Sequence, residues 1–431
     1  MIRLDFLSSQ KEFGVAVGSV LFAIFGAILL LALDVALPFT SAYADVGPAY
    51  LIYASFFCVL LLSYFLSLFF VSGSSNRNGR NGLPSGLLQV VHISLLVSVL
   101  AIFSLFIDRV FYRGIDFSVN NFVEIRDALN ATSDGSVSSV FSFFGNLFQF
   151  SYFFALVSVF FYRDFLGWKR FLFYLFVICM CVFVGSYLLG GRAIIAVFIL
   201  TLLTVLVARV IAGFSSFKIF LKARFLLLCG ALVVLFLFVF IYVFYMRSSV
   251  GGDGSLEYLN KFLLHLHGVS LLPSQLCGGE FLCDVKNYFY LTVLYCTHIF
   301  WVLAENVSYS PLEAGGDPVF GAVLNILSRL FQLEVGEYRF SGLFNSMPGS
   351  LYYSWGLWGV WIGAGVIGCF LALAVFFLRF YKSFFSVLFF YFFYMVLLVS
   401  PVLSVLNVVS FVFLMFCLCF YFLVLRIFYS T

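Results

Sequence analysis

Charge is scarce in this chain. Only 10% of its 431 residues are Asp, Glu, Lys or Arg, it has four histidines and eight prolines, and 64% of it is hydrophobic. Soluble domains of average composition carry about 25% charged residues. The sequence also lacks a glycine-rich phosphate loop followed by Lys and Ser or Thr, so ATP-driven transport by this chain alone is not expected. The composition favours an integral membrane protein.

Long apolar runs fill most of the sequence. About 20 apolar residues span a bilayer, and each span must be helical because lipid offers the backbone no hydrogen-bond partners. We therefore predict an all-α polytopic membrane protein with about ten spans. A shorter run, Tyr288–Leu303, is predicted to lie at the membrane surface or pack on the bundle, but a crossing there with Tyr258–Leu272 would give twelve spans. The ten predicted spans are 14–36, 49–71, 87–107, 137–161, 171–189, 193–213, 225–245, 351–378, 385–400 and 403–425.

The charged residues alternate in sign between the spans. Fourteen of the 23 Lys and Arg residues, but only three of the 19 acids, fall on one side of this topology. By the positive-inside rule that side is cytoplasmic, with both termini inside. The other side holds one large loop, 246–350, between a seven-span part (1–245) and a three-span part (351–431). A loop of this length is usually functional, so we predict that the chemistry lies on the outer side.

Arg192 is the first candidate functional residue. It follows Gly190 and Gly191 at the outer mouth of two predicted spans. Glycines let a ligand approach the backbone closely, and a helix start favours an anion. A guanidinium group there can bind a phosphate through two hydrogen bonds. The alternative is a topology anchor that reaches the lipid headgroups.

The large outer loop supplies the other charged candidates. Arg339 is a second candidate anion ligand, and Arg329 a weaker one because it can equally lie on an exposed helix face. Glu337 is a candidate general base, although acids beside arginines are more often salt-bridge partners. His265 and His267 are also candidate bases because histidine titrates near neutral pH, but their spacing does not suit a metal pair on a helix.

Four further residues are noted for their position. Asp34 lies near the outer end of the first span. A carboxylate in lipid is costly, so Asp34 is a candidate functional residue by default. The alternative is that its side chain reaches the membrane edge. His92, in the third span, is interpreted as a hydrogen-bonded interior residue. Cys277 and Cys283 lie on the outer side and can close a small disulfide loop if that side is oxidising.

The chain resembles the bacterial O-antigen (oligosaccharide repeat-unit) polymerases, and more loosely the O-antigen ligases. The resemblance rests on the outer Gly-Gly-Arg hairpin and on the end of the large loop with the span that follows it. Two departures stand out: Ser354 occupies a position where many relatives have Asp, and Phe344 one where ligases have His. The second favours a polymerase. The matching positions are Gly190-Gly191-Arg192, Asn345, Tyr352-Tyr353 and Gly356-Leu357-Trp358-Gly359.

The resemblance implies a GT-C-like glycosyltransferase in the bacterial inner membrane. Such an enzyme joins undecaprenyl-pyrophosphate-linked repeat units at the periplasmic face, for O-antigen, capsule or exopolysaccharide. It needs no cofactor or metal and no nucleic acid, and usually works with a chain-length regulator. An O-antigen ligase and a lipid-linked oligosaccharide flippase are the alternatives.

The resemblance also suggests roles for individual residues. Arg192 and Arg339 stabilise the departing pyrophosphate, while Glu337 or one of the two histidines takes the proton of the acceptor hydroxyl. Asn345 is assigned to substrate binding. Gly349, Gly356 and Gly359 belong to the structural motif, where Gly356 and Gly359 are expected to let helices pack closely.

Overall fold

A computed structural model shows a bundle of long apolar helices. These segments are helical because, in lipid, only hydrogen bonds within a helix satisfy the backbone of a long apolar segment. The structure describes residues 10–37, 39–41, 45–71, 83–117, 128, 139–189, 193–214, 238, 241–242, 244–245, 255, 257, 259–261, 269–271, 281–308, 317–331 and 345–429.

The described residues form thirteen α-helices of eight residues or more, which we number in chain order. A 3₁₀ turn, Gln149–Ser151, joins the fourth helix to the fifth within one crossing. The helices are α1 Gln10–Ala36, α2 Gly47–Val71, α3 Leu87–Ile107, α4 Val140–Phe148, α5 Tyr152–Phe161, α6 Trp168–Leu188, α7 Ala193–Ile211, α8 Phe281–Thr297, α9 Ile299–Ser308, α10 Gly321–Phe331, α11 Met347–Tyr381, α12 Phe384–Val399 and α13 Val409–Tyr429.

Eight crossings in the described part of the chain are long and apolar enough to span a membrane. They match eight of the ten predicted spans and confirm a multi-pass α-helical membrane protein. The predicted span 385–400 corresponds to α12, which has 16 residues and is largely buried in the bundle. The predicted span 225–245 falls mostly outside the described residues.

The described parts of the long segment after α7 contact the bundle. Strand β1, Phe39–Ser41, pairs antiparallel with strand β2, Val269–Leu271. The twelve-span alternative therefore loses support, because β2 lies within the segment that would have to cross as a helix. Helices α8 and α9 pack against α1, α2 and α11, and most of α9 is buried. Of the two placements expected for this aromatic run, at the membrane surface or packed on the bundle, the described residues show packing on the bundle.

Contacts between neighbouring helices define the two ends of the bundle. At one end Tyr50 at the start of α2 bonds Asp34 at the end of α1, and Ser104 of α3 bonds the carbonyl of Phe141 in α4. This end, which also carries α8, α9 and the start of α11, is called the loop end. At the basic end, Arg209 donates to the carbonyls of Phe160 and Phe161 and to Asp164.

Gly368 of α11 packs directly against the backbone of α2. A Cβ added there would lie 2.5 Å from the carbonyl oxygen of Leu60 and 3.0 Å from the amide nitrogen of Tyr64, both backbone atoms of α2. Small residues at such crossings let helix backbones come together in lipid. Gly365, in the same helix, has nothing within 4 Å of its added Cβ.

Gly368→Ala is therefore expected to lower the free energy of unfolding by about 1–3 kcal/mol, because the extra methyl must push two backbones apart. Gly365→Ala serves as the matched control and should stabilise the protein by up to ~1 kcal/mol through helix propensity alone. Thermal unfolding of both variants in detergent measures the difference. Equal melting temperatures would show that the α2–α11 contact is looser than described.

A kink at Gly356 divides α11 into two parts. Its φ of 64° and ψ of −159° are not helical, and this left-handed φ suits glycine. An added Cβ at Gly356 would meet nothing within 4 Å, so the residue is needed for its backbone conformation and not for close helix packing. Gly359 does pack closely, but against Leu351 and Trp355 of its own helix, across the kink. The kink leaves residues 347–355 as a short helix at the loop end, buried over 347–351 and exposed at Trp355.

Candidate functional site

A cluster of two arginines and one carboxylate lies at the end of α3. Asp108 is 1% exposed, and its Oδ2 accepts from Nε of Arg113 at 2.9 Å. Nε of Arg109 lies 3.9 Å from the same oxygen, too far for a hydrogen bond. Ser139 donates to the other carboxylate oxygen. We call Asp108, Arg109 and Arg113 the arginine cluster.

Local backbone structure positions the arginine cluster. Residues 108–112 form a π-helical turn in which the amide of Arg113 bonds the carbonyl of Asp108, so both side chains emerge on one side. Such turns occur frequently at functional sites. Ser139 is also the N-cap of α4, accepting from the amide of Ser142 at 2.9 Å, which fixes it opposite Asp108.

The arginine cluster carries one more positive charge than negative. Asp108 neutralises one guanidinium group, while Arg109 is only 11% exposed and its Nε is buried without a hydrogen bond. A guanidinium group that has lost water and lacks a full set of acceptors binds an anion strongly, and its planar fork suits phosphate. The cluster can therefore hold a phosphate-like group at the loop end.

The start of α11 forms a second polar site at the loop end. Asn345 is 1% exposed, and its carbonyl accepts from the amide of Ser404, while the amide of Met347 bonds the carbonyl of Ser400. Ser346 caps the helix by accepting from the amide of Gly349 at 3.2 Å. These bonds tie the end of the large loop to the turn between α12 and α13.

Asp317 joins this second site from far away in the sequence. Its Oδ1 accepts from the Ser354 hydroxyl at 3.0 Å and from the amide of Val319 at 2.7 Å. The Ser404 hydroxyl in turn donates to the carbonyl of Val319. A carboxylate is thus held beside the aromatic part of α11, just before the kink.

A third polar group surrounds Asp34, which is buried at the end of α1. Its Oδ2 accepts from the Tyr50 hydroxyl at 2.7 Å. The side chains of Thr297 and Trp301 face the same carboxylate. We call Asp34, Tyr50, Thr297 and Trp301 the Asp34 cluster. Asp34, singled out from the sequence for the cost of burying its charge, is therefore held inside the protein instead of reaching the membrane edge.

The structure brings together part of the predicted site. Asn345, Gly349, Gly356 and Gly359 all lie in or beside the first turns of α11, where an added Cβ at Gly349 would collide with Oδ1 of Asn345. Arg329 lies on α10, but its side chain is not among those described. The remaining predicted site residues lie outside the described residues: Gly190, Gly191, Arg192, His265, His267, Glu337 and Arg339.

Two other sequence interpretations are resolved in part. His92 accepts or donates a 2.8 Å hydrogen bond with the Tyr174 hydroxyl, as expected, but its side chain is exposed on the bundle surface beside Lys169 and Arg170 and is not interior. Cys283 forms a disulfide, and its partner lies outside the described residues. Pairing with Cys277 stays a prediction.

Sequence reasoning missed the arginine cluster and Asp317. Arg109 and Arg113 were visible only as two bases in an acid-rich loop, and nothing in the sequence links Asp317 to Ser354. Asp108 and Arg113 are five residues apart and follow an apolar run. This spacing predicts their contact only if the backbone is expected to form a π turn there.

Comparison of the chain with protein-family models, with curated proteins and with solved structures finds no match. The fold and the buried polar groups define a class: a multi-pass α-helical membrane protein whose described residues include buried ionisable groups at both ends of the bundle, Asp34 and Asp108 at the loop end and Arg209 at the basic end. Intramembrane ionisable groups of this kind usually mark function.

Proposed function

We propose that the protein polymerises lipid-linked oligosaccharide repeat units. The growing glycan on undecaprenyl pyrophosphate is the donor, and a new lipid-linked repeat unit is the acceptor. The loop end faces the periplasm in this proposal, because the opposite end carries most of the basic residues.

The arginine cluster is the observation that carries the proposal. Glycosyl transfer from a pyrophosphate leaves negative charge on the departing oxygen, and fixed cations stabilise that charge in the transition state. Arg109 has a desolvated guanidinium group that Asp108 does not fully satisfy. Arg113 makes the closer contact with Oδ2 of Asp108, at 2.9 Å against 3.9 Å for Arg109, which leaves the charge of Arg109 the less fully paired of the two.

The start of α11 supports the proposal independently. The O-antigen polymerases that this chain resembles often have Asp where it has Ser354. Here the Ser354 hydroxyl bonds Asp317 at 3.0 Å, so a carboxylate occupies the same neighbourhood although it comes from another part of the chain. Asn345 lies buried at the base of the same short helix.

Chain growth transfers the donor glycan from its pyrophosphate to a hydroxyl group of the acceptor. The acceptor hydroxyl oxygen bonds to the anomeric carbon of the donor, and the bond between that carbon and the pyrophosphate oxygen breaks. The electron pair leaves with undecaprenyl pyrophosphate, which the arginine cluster and, in our prediction, Arg192 and Arg339 stabilise. The proton of the acceptor hydroxyl passes to the predicted base, Glu337 or one of His265 and His267.

The deciding experiment compares lipid-linked and surface glycans from a deletion strain with those of the same strain carrying the wild-type gene. We expect the deletion to reduce the glycan ladder to a single repeat unit attached to the acceptor lipid, and the wild-type chain to restore the ladder. A full ladder retained on undecaprenyl pyrophosphate would indicate a ligase instead. Complete absence of repeat units from the outer face would indicate a flippase.

A further inference from the structure

A cavity of about 430 Å³ opens on the surface of the bundle at its basic end. It lies between α3 and α6, which pack side by side. Its volume falls in the range of small-molecule sites, roughly 300–1,000 Å³, and far exceeds the ~30 Å³ of one water molecule. The space is therefore large enough for an organic ligand. The lining residues are Leu88, His92, Lys169, Arg170, Phe173 and Tyr174.

Two positive charges border the cavity. Lys169 and Arg170 lie in the first turn of α6, and both are exposed. Among the described residues, no acid forms an ion pair with either of them. Their position also runs against the helix dipole, which disfavours cations at a helix N-terminus. These two charges therefore favour an anion from outside the chain.

Neighbouring arginines at the basic end do have partners inside the protein. Arg209 is bonded to Asp164 and to two backbone carbonyls. The guanidinium group of Arg163 lies 4.9 Å from the centre of the Phe171 ring. Membrane topology requires basic residues at this end, but it does not require that two of them border a cavity.

A hydrogen-bonded pair of side chains adds a polar group to the cavity. Nε2 of His92 lies 2.8 Å from the Tyr174 hydroxyl. Tyr174 is buried and His92 is exposed, so the bond fixes the imidazole ring at the cavity surface. When the hydroxyl donates to Nε2, Nδ1 carries the proton and can donate to a ligand oxygen. An oriented donor beside two cations suits a phosphate group.

The other walls of the cavity are apolar and continue along the surface of the bundle. Leu88 lines it from α3 and Phe173 from α6. Leu96 follows His92 by four residues and Phe176 follows Phe173 by three, so each lies on the same face of its helix as the cavity residue before it. They are 61% and 65% exposed. A free phosphate gains nothing from this surface, whereas the acyl chains of a lipid cover it.

We propose that the cavity binds an anionic phospholipid. Its phosphate lies among Lys169, Arg170 and His92, and its acyl chains lie along the exposed faces of α3 and α6. Basic pockets between membrane helices on the cytoplasmic side bind the head groups of anionic lipids in this way. The proposal does not depend on the polymerase function, because it concerns the opposite end of the bundle from the loop end.

Native mass spectrometry of the purified full-length protein measures this binding. Protein in detergent micelles is mixed with dioleoyl phosphatidylglycerol or with dioleoyl phosphatidylcholine, which has the same acyl chains but no net charge. We expect phosphatidylglycerol to bind roughly 5- to 30-fold more tightly, because each base near a membrane surface strengthens the attraction of anionic lipid about fivefold. Equal binding of the two lipids would overturn the proposal.

Paired variants distinguish the cavity from the general positive charge of the basic end. Lys169→Ala combined with Arg170→Ala should weaken the binding of phosphatidylglycerol about 25-fold. Arg379→Ala combined with Arg426→Ala removes the same charge from the same end but outside the cavity, and should leave the binding within about twofold of wild type. Equal losses in the two double variants would contradict a built site.

A further variant fills the cavity without changing its charge. Leu88 is only partly buried, so Leu88→Trp should occupy the space and reduce the binding of phosphatidylglycerol as much as the loss of both bases. Its melting temperature in phosphatidylcholine nanodiscs should equal that of the wild type. Wild-type binding of phosphatidylglycerol by Leu88→Trp would show that the lipid does not enter the cavity.

Inorganic phosphate distinguishes a lipid from a soluble anion. Phosphatidylglycerol should raise the melting temperature of the wild type in detergent, because a ligand that binds only the folded state stabilises it. Inorganic phosphate at the same concentration should not, since it contacts the basic side of the cavity alone. An equal rise with inorganic phosphate would make the cavity a site for soluble phosphate and overturn the lipid assignment.

Discussion

Arg109→Ala is expected to abolish most polymer growth at a normal level of membrane-inserted protein. Loss of one positioned donor to a developing negative charge costs roughly 10²–10³-fold in rate, or about 2.7–4 kcal/mol. The structure favours the upper part of this range, because the Arg109 side chain is 11% exposed and little water can replace it. A glycan ladder from the complemented deletion strain, normalised to protein level, measures the loss.

Matched variants make the Arg109 result specific. Arg109→Lys keeps the charge but loses the planar fork, so we expect transfer between that of wild type and Arg109→Ala. Arg426→Ala removes an exposed arginine at the basic end and should leave the ladder unchanged. A full ladder from Arg109→Ala would remove the arginine cluster from the site and leave Arg192 and Arg339 as the remaining predicted anion ligands.

The membrane-spanning helices were predictable because their cause is local. Each span needs only about 20 apolar residues, and the backbone then has no alternative to a helix. The break in α11 was not predicted, since Gly356 reads equally well as a packing residue, and only its φ of 64° shows the conformational role. The pairing of β1 with β2 was also missed, because two three-residue strands more than 200 positions apart leave no periodic pattern.

The candidate site was less predictable because it depends on contacts between distant segments. Asn345 and the nearby glycines were found from a local motif, and they do lie together. Asp317 meets Ser354 only because the segment before α10 returns to the start of α11. Asp34 was predicted as a candidate functional residue from the cost of burying a charge. Its partners Thr297 and Trp301 were not predicted, because they come from a segment whose packing could not be derived from composition.

Asp108→Ala is expected to destabilise the protein more than removal of any exposed acid. The change leaves two guanidinium groups close together, 11% and 14% exposed, without the carboxylate that lies between them. Breaking a buried ion pair by removing one partner costs about 3–5 kcal/mol, because the other charge stays desolvated. This is a large share of the roughly 5–15 kcal/mol by which folded proteins are stable, so little folded protein should remain.

Chemical unfolding in detergent micelles and the yield of monodisperse protein measure this effect. Glu257→Ala is the control, since Glu257 and Lys261 form an exposed pair at 3.5 Å that should contribute at most ~0.5 kcal/mol. Adding Arg113→Met to Asp108→Ala should recover much of the lost stability, because one of the two repelling charges is then gone. If the double variant were no more stable than Asp108→Ala, the loss would come from the Ser139 contact and the α4 cap, and the arginine cluster would not be an electrostatic unit. Recovery of stability without recovery of polymer growth would instead assign Asp108 and Arg113 to holding Arg109 in place for its anion.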